Sequence, residues 1–279
     1  MAASRRSAIR RRLAWAACLH GALVAFAANA LPALAPGGVS EFQVELTPEL
    51  RQIAGRGSLS PATYAVVAIA VPPKFEPTRD WPVMIVNATV DRPGQSRALL
   101  RAYAAAALDE GWILLAADPV PDVDRADDEA TLRFALDFAA LAVLQRQWPG
   151  AGKARLAFGG FSGGAKYSGW LAAAFAGQKR AVIGVYLAGC NEDTLAPAAR
   201  DFDVLDERFR RIPVFLQAGE NDSVATPADH RRVQADLENA GFRRVRVEYF
   251  AGTHEVAPAP LRQALRWFSE LAGAAPNAR

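Results

Sequence analysis

The sequence predicts an α/β fold: an open, mostly parallel sheet of about eight strands with helices on both faces. Short, uniformly apolar runs recur along the chain, and helical stretches of about ten to twenty residues separate most of them. Such strands belong to a parallel sheet that is covered on both faces, because they meet no water on either side. A length of 279 residues with 22% charged residues fits one globular domain of this class.

Eight apolar segments are predicted to be the strands, starting from about residue 41. The third of them carries Val83, Ile85 and Val86 within only a few positions. In chain order the segments are FQVEL, TYAVVAIAV, PVMIVNA, WILLAAD, ARLAFGG, AVIGVYLAG, IPVFLQAG and RVRVEYF.

Five helical stretches lie between these strands or after the last one. They are SRALLRAYAAAALDEG, DEATLRFALDFAALAVLQRQ, the segment from Gly163 to Ala176, PADHRRVQADLENAG and PLRQALRWFSELAG. The stretch between Cys190 and Arg211 is the one longer connection between core strands, and it is too short for a large lid domain.

The first thirty residues have the pattern of an export signal, since five arginines precede an apolar stretch that ends in small residues. We predict that residues 1–30 are a signal peptide cleaved after Ala30, although a cut after Ala35 also satisfies the small-residue rule. Residues 41–279 are then a single domain in the periplasm or outside the cell, with no membrane span. A retained membrane anchor is the alternative, because the apolar run approaches the length that spans a bilayer.

The charge distribution argues against a nucleic-acid partner. The net charge of +3 depends on the five arginines of the predicted signal, and without them 27 basic residues face 29 acidic ones. The body of the protein therefore lacks the overall basic excess that is typical of nucleic-acid binding.

Cysteine and histidine usage argues against disulfides and metal sites. Cys18 would leave with the signal, so Cys190 would be the single remaining cysteine, and we interpret it as a buried small residue. The chain has three histidines, His20, His230 and His254, and none has a recognisable metal-ligand spacing. We expect no bound metal.

A candidate nucleophile follows the fifth predicted strand. Gly160-Phe161-Ser162-Gly163-Gly164 is a Gly-x-Ser-x-Gly pentapeptide between a strand and a helix, the context expected of a nucleophile elbow. A sharp turn there would lift the serine oxygen above the sheet, and the flanking glycines would leave room for the neighbouring strand and helix. The alternative is a plain glycine-rich turn.

A serine nucleophile needs a base, and two histidines remain after export. His254 directly follows the last predicted strand, so we predict that it is the base. His230 lies among charged residues of a predicted helix, and we interpret it as a solvated surface residue.

The base in turn needs an acid that holds its tautomer. Asp222, in the loop after the penultimate strand, is the first choice. Glu220 in the same loop and Asp193 after the strand AVIGVYLAG are the alternatives. Asp118 also ends a strand, where substrate-facing loops emerge, but we prefer to interpret it as part of a turn or cap.

From about Tyr64 to Leu271 the sequence resembles the α/β-hydrolase superfamily, with its elbow, acid loop and histidine loop, and Ser162, Asp222 and His254 stand in the chain order of that superfamily's triad. The resemblance implies an oxyanion hole made by the backbone amide of Gly163 and one amide of the loop after the third strand.

Many α/β-hydrolases carry His-Gly where Asn87-Ala88 stands here, so we choose the Thr89 amide as the second donor. The Asn87 side chain is then expected to brace the loop in place of the histidine.

The resemblance further implies hydrolysis through an acyl-enzyme without a cofactor, acting on a small-molecule or lipid-like carboxylic ester. A serine peptidase of the same fold is one alternative. A catalytically silent binding protein of this fold is the other, although such proteins usually lack a triad member.

Overall fold

The computed structural model describes residues 33–55, 62–89, 94–120 and 129–273, which form one eight-stranded sheet and seven α-helices. The predicted export signal, residues 1–30, lies outside the described residues. The strands are β1 (Val39–Glu45), β2 (Tyr64–Ala70), β3 (Val83–Asn87), β4 (Ile113–Val120), β5 (Leu156–Phe161), β6 (Val182–Ala188), β7 (Val214–Gly219) and β8 (Val245–Phe250).

The sheet has the strand order β1-β2-β4-β3-β5-β6-β7-β8. Its first two pairs, β1 with β2 and β2 with β4, are antiparallel, and every later pair is parallel. The sheet is open rather than closed into a barrel. The predicted fold class is therefore confirmed, and each of the eight apolar segments overlaps one of the strands.

The helices include the five that the sequence predicts and two short ones that it does not. They are α1 (Pro48–Ala54), α2 (Gln95–Asp109), α3 (Glu129–Gln147), α4 (Gly163–Gly177), α5 (Leu195–Asp201), α6 (Pro227–Asn239) and α7 (Pro258–Gly273). The unpredicted helices, α1 and α5, have seven residues each, too few to display a repeating apolar face. Local capping starts both: Thr47 accepts a hydrogen bond from the Leu50 amide, and Asp193 accepts one from the Leu195 amide.

Helices cover both faces of the sheet. Successive residues of β3 point in opposite directions: Val83 and Ile85 join one core cluster, and Met84 and Val86 join the other. The first cluster takes side chains from α1, α3, α4, α5 and α6, and the second takes side chains from α2 and α7. The strands are apolar on both sides because each side meets a helix layer.

The parallel strands end at one edge of the sheet, and the loops that follow β3, β5, β7 and β8 lie there together. These are the loops that carry the residues predicted to act chemically. Among the residues that the structure describes, no helix is long and apolar enough to cross a membrane.

Candidate active site

Ser162 occupies a strained turn between β5 and α4. Its backbone has φ 57° and ψ −123°, a region that residues with a side chain rarely adopt. The Ser162 amide donates a hydrogen bond to the carbonyl oxygen of Ala188 at the end of β6, at 2.8 Å. The sheet itself thus holds the turn that the pentapeptide predicted.

The glycines around Ser162 allow main chains to approach closely. A Cβ atom on Gly160 would lie 2.4 Å from the Asn87 carbonyl oxygen, and one on Gly164 would lie 2.1 Å from the same oxygen. A real Cβ does not come so close to backbone. Both positions therefore require glycine, because β5 and the first turn of α4 press against the end of β3.

His254 stands between Ser162 and the acid loop. Its Nε2 atom lies 3.0 Å from Ser162 Oγ. The Phe161 ring packs against the imidazole with 4.7 Å between ring centroids, and Gly189 supports it from another side, where a Cβ would lie 3.0 Å from His254 Cε1. These contacts hold the ring in reach of the serine oxygen.

Asp222 completes a hydrogen-bonded chain of three residues. Its Oδ2 atom lies 2.8 Å from His254 Nδ1, and its Oδ1 atom accepts from the amides of Val224 and Ala225, each at 2.8 Å. Burial raises the pKa of Asp222, but the hydrogen bonds from His254 and the two amides outweigh it and leave the pKa below its ordinary value. The carboxylate is therefore ionised at neutral pH.

The other candidate acids lie elsewhere. Glu220 is exposed at the surface, and Asp193 accepts hydrogen bonds from the Leu195 and Ala196 amides at the start of α5. In the described part of the chain, neither carboxylate makes a hydrogen bond with His254.

The interpretation of His230 as a solvated surface residue is wrong. The side chain is fully buried, its Nδ1 atom lies 3.0 Å from the Thr226 carbonyl oxygen, and its Nε2 atom accepts from the Cys190 amide at 3.2 Å. These roles require the neutral ring with the proton on Nδ1. Burial also lowers its pKa. His230 therefore ties the end of β6 to the acid loop, and the charged neighbours of its helix conceal this inward position.

Cys190 is buried, as the sequence predicts. Burial raises the pKa of its thiol to about 11, so the thiol is protonated at neutral pH. Among the described residues, no group of three or more His, Cys, Asp or Glu side chains could hold a metal ion.

The two predicted oxyanion donors belong to residues that are in contact. Thr89 packs on Gly163 so closely that a Cβ on Gly163 would lie 2.1 Å from Thr89 Cγ2. The Ala88 amide donates to Ser96 Oγ at 3.2 Å, which leaves the next amide along, that of Thr89, as the loop's candidate donor. The assignment of the Gly163 and Thr89 amides as the oxyanion hole stays a prediction.

A buried pair of polar side chains lies behind this loop. Asn87 donates from Nδ2 to Asp137 Oδ2 at 3.0 Å, and both side chains are fully buried. Burial raises the pKa of Asp137 to about 7 against the opposing effects of Asn87 and Arg133. Sequence reasoning missed Asp137, although an acid within the apolar stretch RFALDFAALAV was a usable signal.

Asp118 acts as a cap rather than as a substrate contact. It accepts from the amides of Ser96 and Arg97 at the start of α2 and from Arg97 Nε at 3.0 Å. Ser96 Oγ in turn accepts from Arg133 Nη1 at 2.9 Å. This network anchors the start of α2 and, through Ser96, the loop after β3.

No protein-family model and no curated protein matches the sequence. Solved structures match at low identity. A fluorophosphonate-binding serine hydrolase from Staphylococcus aureus is 11% identical with a TM-score of 0.56, over 84% of this chain and 99% of that one. An esterase from Pyrococcus furiosus is 15% identical with a TM-score of 0.51, over 87% of this chain and 97% of that one.

A much larger protein also matches. It is a structure from Bacteroides ovatus assigned as a dipeptidyl aminopeptidase IV, 11% identical with a TM-score of 0.50. The match covers 85% of this chain but only 35% of that one. These three structures share a fold with this chain, and at such low sequence identities they establish the fold alone.

Proposed function

We propose that this chain, which has the α/β-hydrolase fold, is an exported serine hydrolase. In this proposal it cleaves carboxylic esters with Ser162, His254 and Asp222. One observation carries the proposal. Ser162 Oγ, the two His254 nitrogens and Asp222 Oδ2 form a continuous chain with separations of 3.0 and 2.8 Å, although the residues come from three separate loops.

In the proposed reaction His254 Nε2 accepts the Ser162 proton while Ser162 Oγ attacks the ester carbonyl carbon. Asp222, held ionised by its amide donors, keeps the other ring proton on Nδ1 and stabilises the imidazolium that forms. The imidazolium then protonates the departing alcohol. Water, deprotonated by the same histidine, then attacks the acyl carbon of the acyl-enzyme. The bond to Ser162 Oγ breaks, Ser162 Oγ takes the proton back from the imidazolium, and the acid is released.

The developing oxyanion would lie beside the Gly163 and Thr89 amides. Gly163 is the first residue of α4, and the free amides at a helix start favour negative charge. The contact between Thr89 and Gly163 supports this pairing, because both donors must face one atom.

Two observations support an ester over a peptide bond. The Pyrococcus furiosus protein, which is an esterase, matches nearly over its whole length, whereas this chain covers about a third of the peptidase-like structure from Bacteroides ovatus. The connection from β6 to β7 contains only α5 and the short 3₁₀ helix Phe209–Arg211, so this connection adds little cover over the site. A modest or surface-bound ester suits such a site.

Reaction with a fluorophosphonate probe tests the proposal without the choice of a substrate. We expect one adduct, mapped to Ser162 by peptide mass spectrometry, that is absent in Ser162→Ala and slowed by about 10⁴-fold or more in His254→Ala. Ser223→Ala is the matched control, since Ser223 is an exposed serine next to Asp222. An ester panel, with peptides beside it, then identifies the bond that is cleaved.

Absence of an adduct on folded protein would contradict the proposal and favour a silent binding protein of this fold. Turnover of peptides but not of esters would contradict the ester assignment alone. Export has its own test: the mature protein should begin at Leu31 and be recovered outside the cytoplasm, and an intact Met1 on the soluble cytoplasmic protein would contradict it.

A further inference from the structure

A cavity lies at the edge of the sheet opposite Ser162. The residues that precede β5, β6, β7 and β8 are Arg155, Ala181, Pro213 and Arg244. Backbone hydrogen bonds align these residues. The Leu156 amide donates to the carbonyl oxygen of Ala181, the Val185 amide donates to that of Pro213, and the Val214 amide donates to that of Arg244. Parallel strands begin at a common edge, so this row lies at the far end of the strands from the candidate active site.

The cavity has a volume of about 660 Å³, which is within the usual range for small-molecule sites. Its lining combines apolar side chains with guanidinium groups. The apolar residues include Val182, Ile183, Ile212 and Leu271, and the charged residues are four arginines and one glutamate.

The positive charge of the cavity is largely uncompensated. Glu207 is its single acid, and it is shared by Arg211 at 3.7 Å, Arg243 at 2.8 Å and Arg210 at 4.0 Å. Within the described part of the chain, the side chains of Arg155, Arg208 and Arg244 form no ion pair. Several cations bordering one concavity repel each other, and a bound anion would relieve that repulsion.

Several arginines elsewhere on the surface face carboxylates. Arg262 lies 2.9 Å from Asp109, and Arg266 lies 2.8 Å from Glu110. The body of the protein has slightly more acidic than basic residues in total, so the cluster at the cavity is a local excess that the summed charge conceals.

We propose that this cavity binds a small amphipathic oxyanion, a phosphate or carboxylate group joined to an apolar body. Guanidinium groups match such oxyanions because their planar forks donate paired hydrogen bonds. The apolar lining, with Val182, Ile183, Ile212 and Leu271, would receive the apolar part. The site is independent of the proposed hydrolysis, since it shares no residue with the candidate active site.

Calorimetric titration of the protein with phenylphosphonate and with benzoate tests the proposal, and the two probes distinguish a phosphorus oxyanion from a carboxylate. We expect saturable binding of at least one probe with one site per chain. Binding should weaken by about tenfold in Arg208→Gln and in Arg244→Gln, and also with added salt. Arg231→Gln, an exposed arginine on α6, is the matched control and should bind as the wild type does.

Three results would overturn the proposal. The first is the absence of saturable binding of both probes. The second is binding of inorganic phosphate as strong as that of the probes, and the third is the same loss of probe binding in Arg231→Gln as in Arg208→Gln and Arg244→Gln. Either of the last two would indicate a diffuse charge effect instead of a site. The rate of fluorophosphonate labelling of Ser162 should be unchanged in Arg208→Gln and Arg244→Gln, so failure of either proposal is visible without the other.

Discussion

Asp222 shows how a buried side chain retains its charge. Asp222 is only 4% exposed, and His254 Nδ1 and the amides of Val224 and Ala225 all donate to its carboxylate. Their combined effect keeps its pKa below the ordinary value. An ionised Asp222 accepts a hydrogen bond from Nδ1–H and so keeps the ring proton on that nitrogen, which would leave Nε2 free to take the Ser162 proton.

We predict that Asp222→Asn lowers kcat by about 10⁴-fold with a smaller change in KM, because an amide can hold His254 in the wrong tautomer. Steady-state hydrolysis of p-nitrophenyl acetate measures this. Glu220→Gln, which removes an exposed carboxylate from the same loop, is expected to retain activity within about threefold of the wild type. An Asp222→Asn enzyme with nearly full activity would show that Asp222 does not orient His254.

The start of α4 depends on its contact with the end of β3. Gly160, Gly163 and Gly164 each lie against the segment from Asn87 to Thr89. A Cβ atom added to any of these glycines would lie only 2.1–2.4 Å from an atom of that segment. The contact places the first amide of α4 beside Thr89. The glycines of the elbow therefore set the position of a whole helix as well as the turn at Ser162.

We predict that Gly164→Ala destabilises the protein by about 1–3 kcal/mol and slows labelling of Ser162, because the added methyl group must push α4 away from β3. Gly177→Ala, at the last residue of the same helix, is the matched control. A Cβ there would meet Phe202 at an ordinary 3.6 Å, so we expect no loss of stability. Urea denaturation and the labelling rate measure both effects, and a stable, fully reactive Gly164→Ala protein would contradict this account of the elbow.

The buried Asp137 affects the stability of the molecule as a whole. Its folded-state pKa of about 7 lies above the ordinary value of 3.8. Between these two values the folded protein retains a proton that the unfolded chain has released. This carboxyl therefore makes the free energy of unfolding fall as pH rises from about 4 to about 7, by about 4 kcal/mol in total.

We predict that Asp137→Asn removes most of this decrease, since an amide does not ionise. The difference in the free energy of unfolding between mutant and wild type should then grow in favour of the mutant from pH 4 to pH 8, as measured by urea denaturation at each pH. The exposed Asp201 supplies the control, Asp201→Asn, which should change the free energy of unfolding little because the side chain is on the surface. Parallel pH profiles for Asp137→Asn and the wild type would contradict the prediction.

Local patterns in the sequence were sufficient for much of the molecule. The eight strands followed from short apolar runs, and the strained turn at Ser162 followed from glycine spacing after the fifth of them. The carboxyl ends of the predicted strands also indicated where Ser162, Asp222 and His254 would meet, because parallel strands end at one edge of the sheet. The catalytic roles of these residues remain proposals until the labelling experiment is made.

Other features depend on neighbours that are distant along the chain. His230 is buried because the end of β6, 40 residues earlier, packs over a helix that reads as polar. Asn87 meets Asp137 across 50 residues, and the arginine cluster arises where the starts of β5 and β8 come to the same edge. The sequence by itself thus determined the elements and the edge that carries the candidate active site, since both follow from periodicity and chain order. Only the tertiary structure decided which polar groups are buried together and where charge accumulates, because those depend on contacts between segments that no local pattern records.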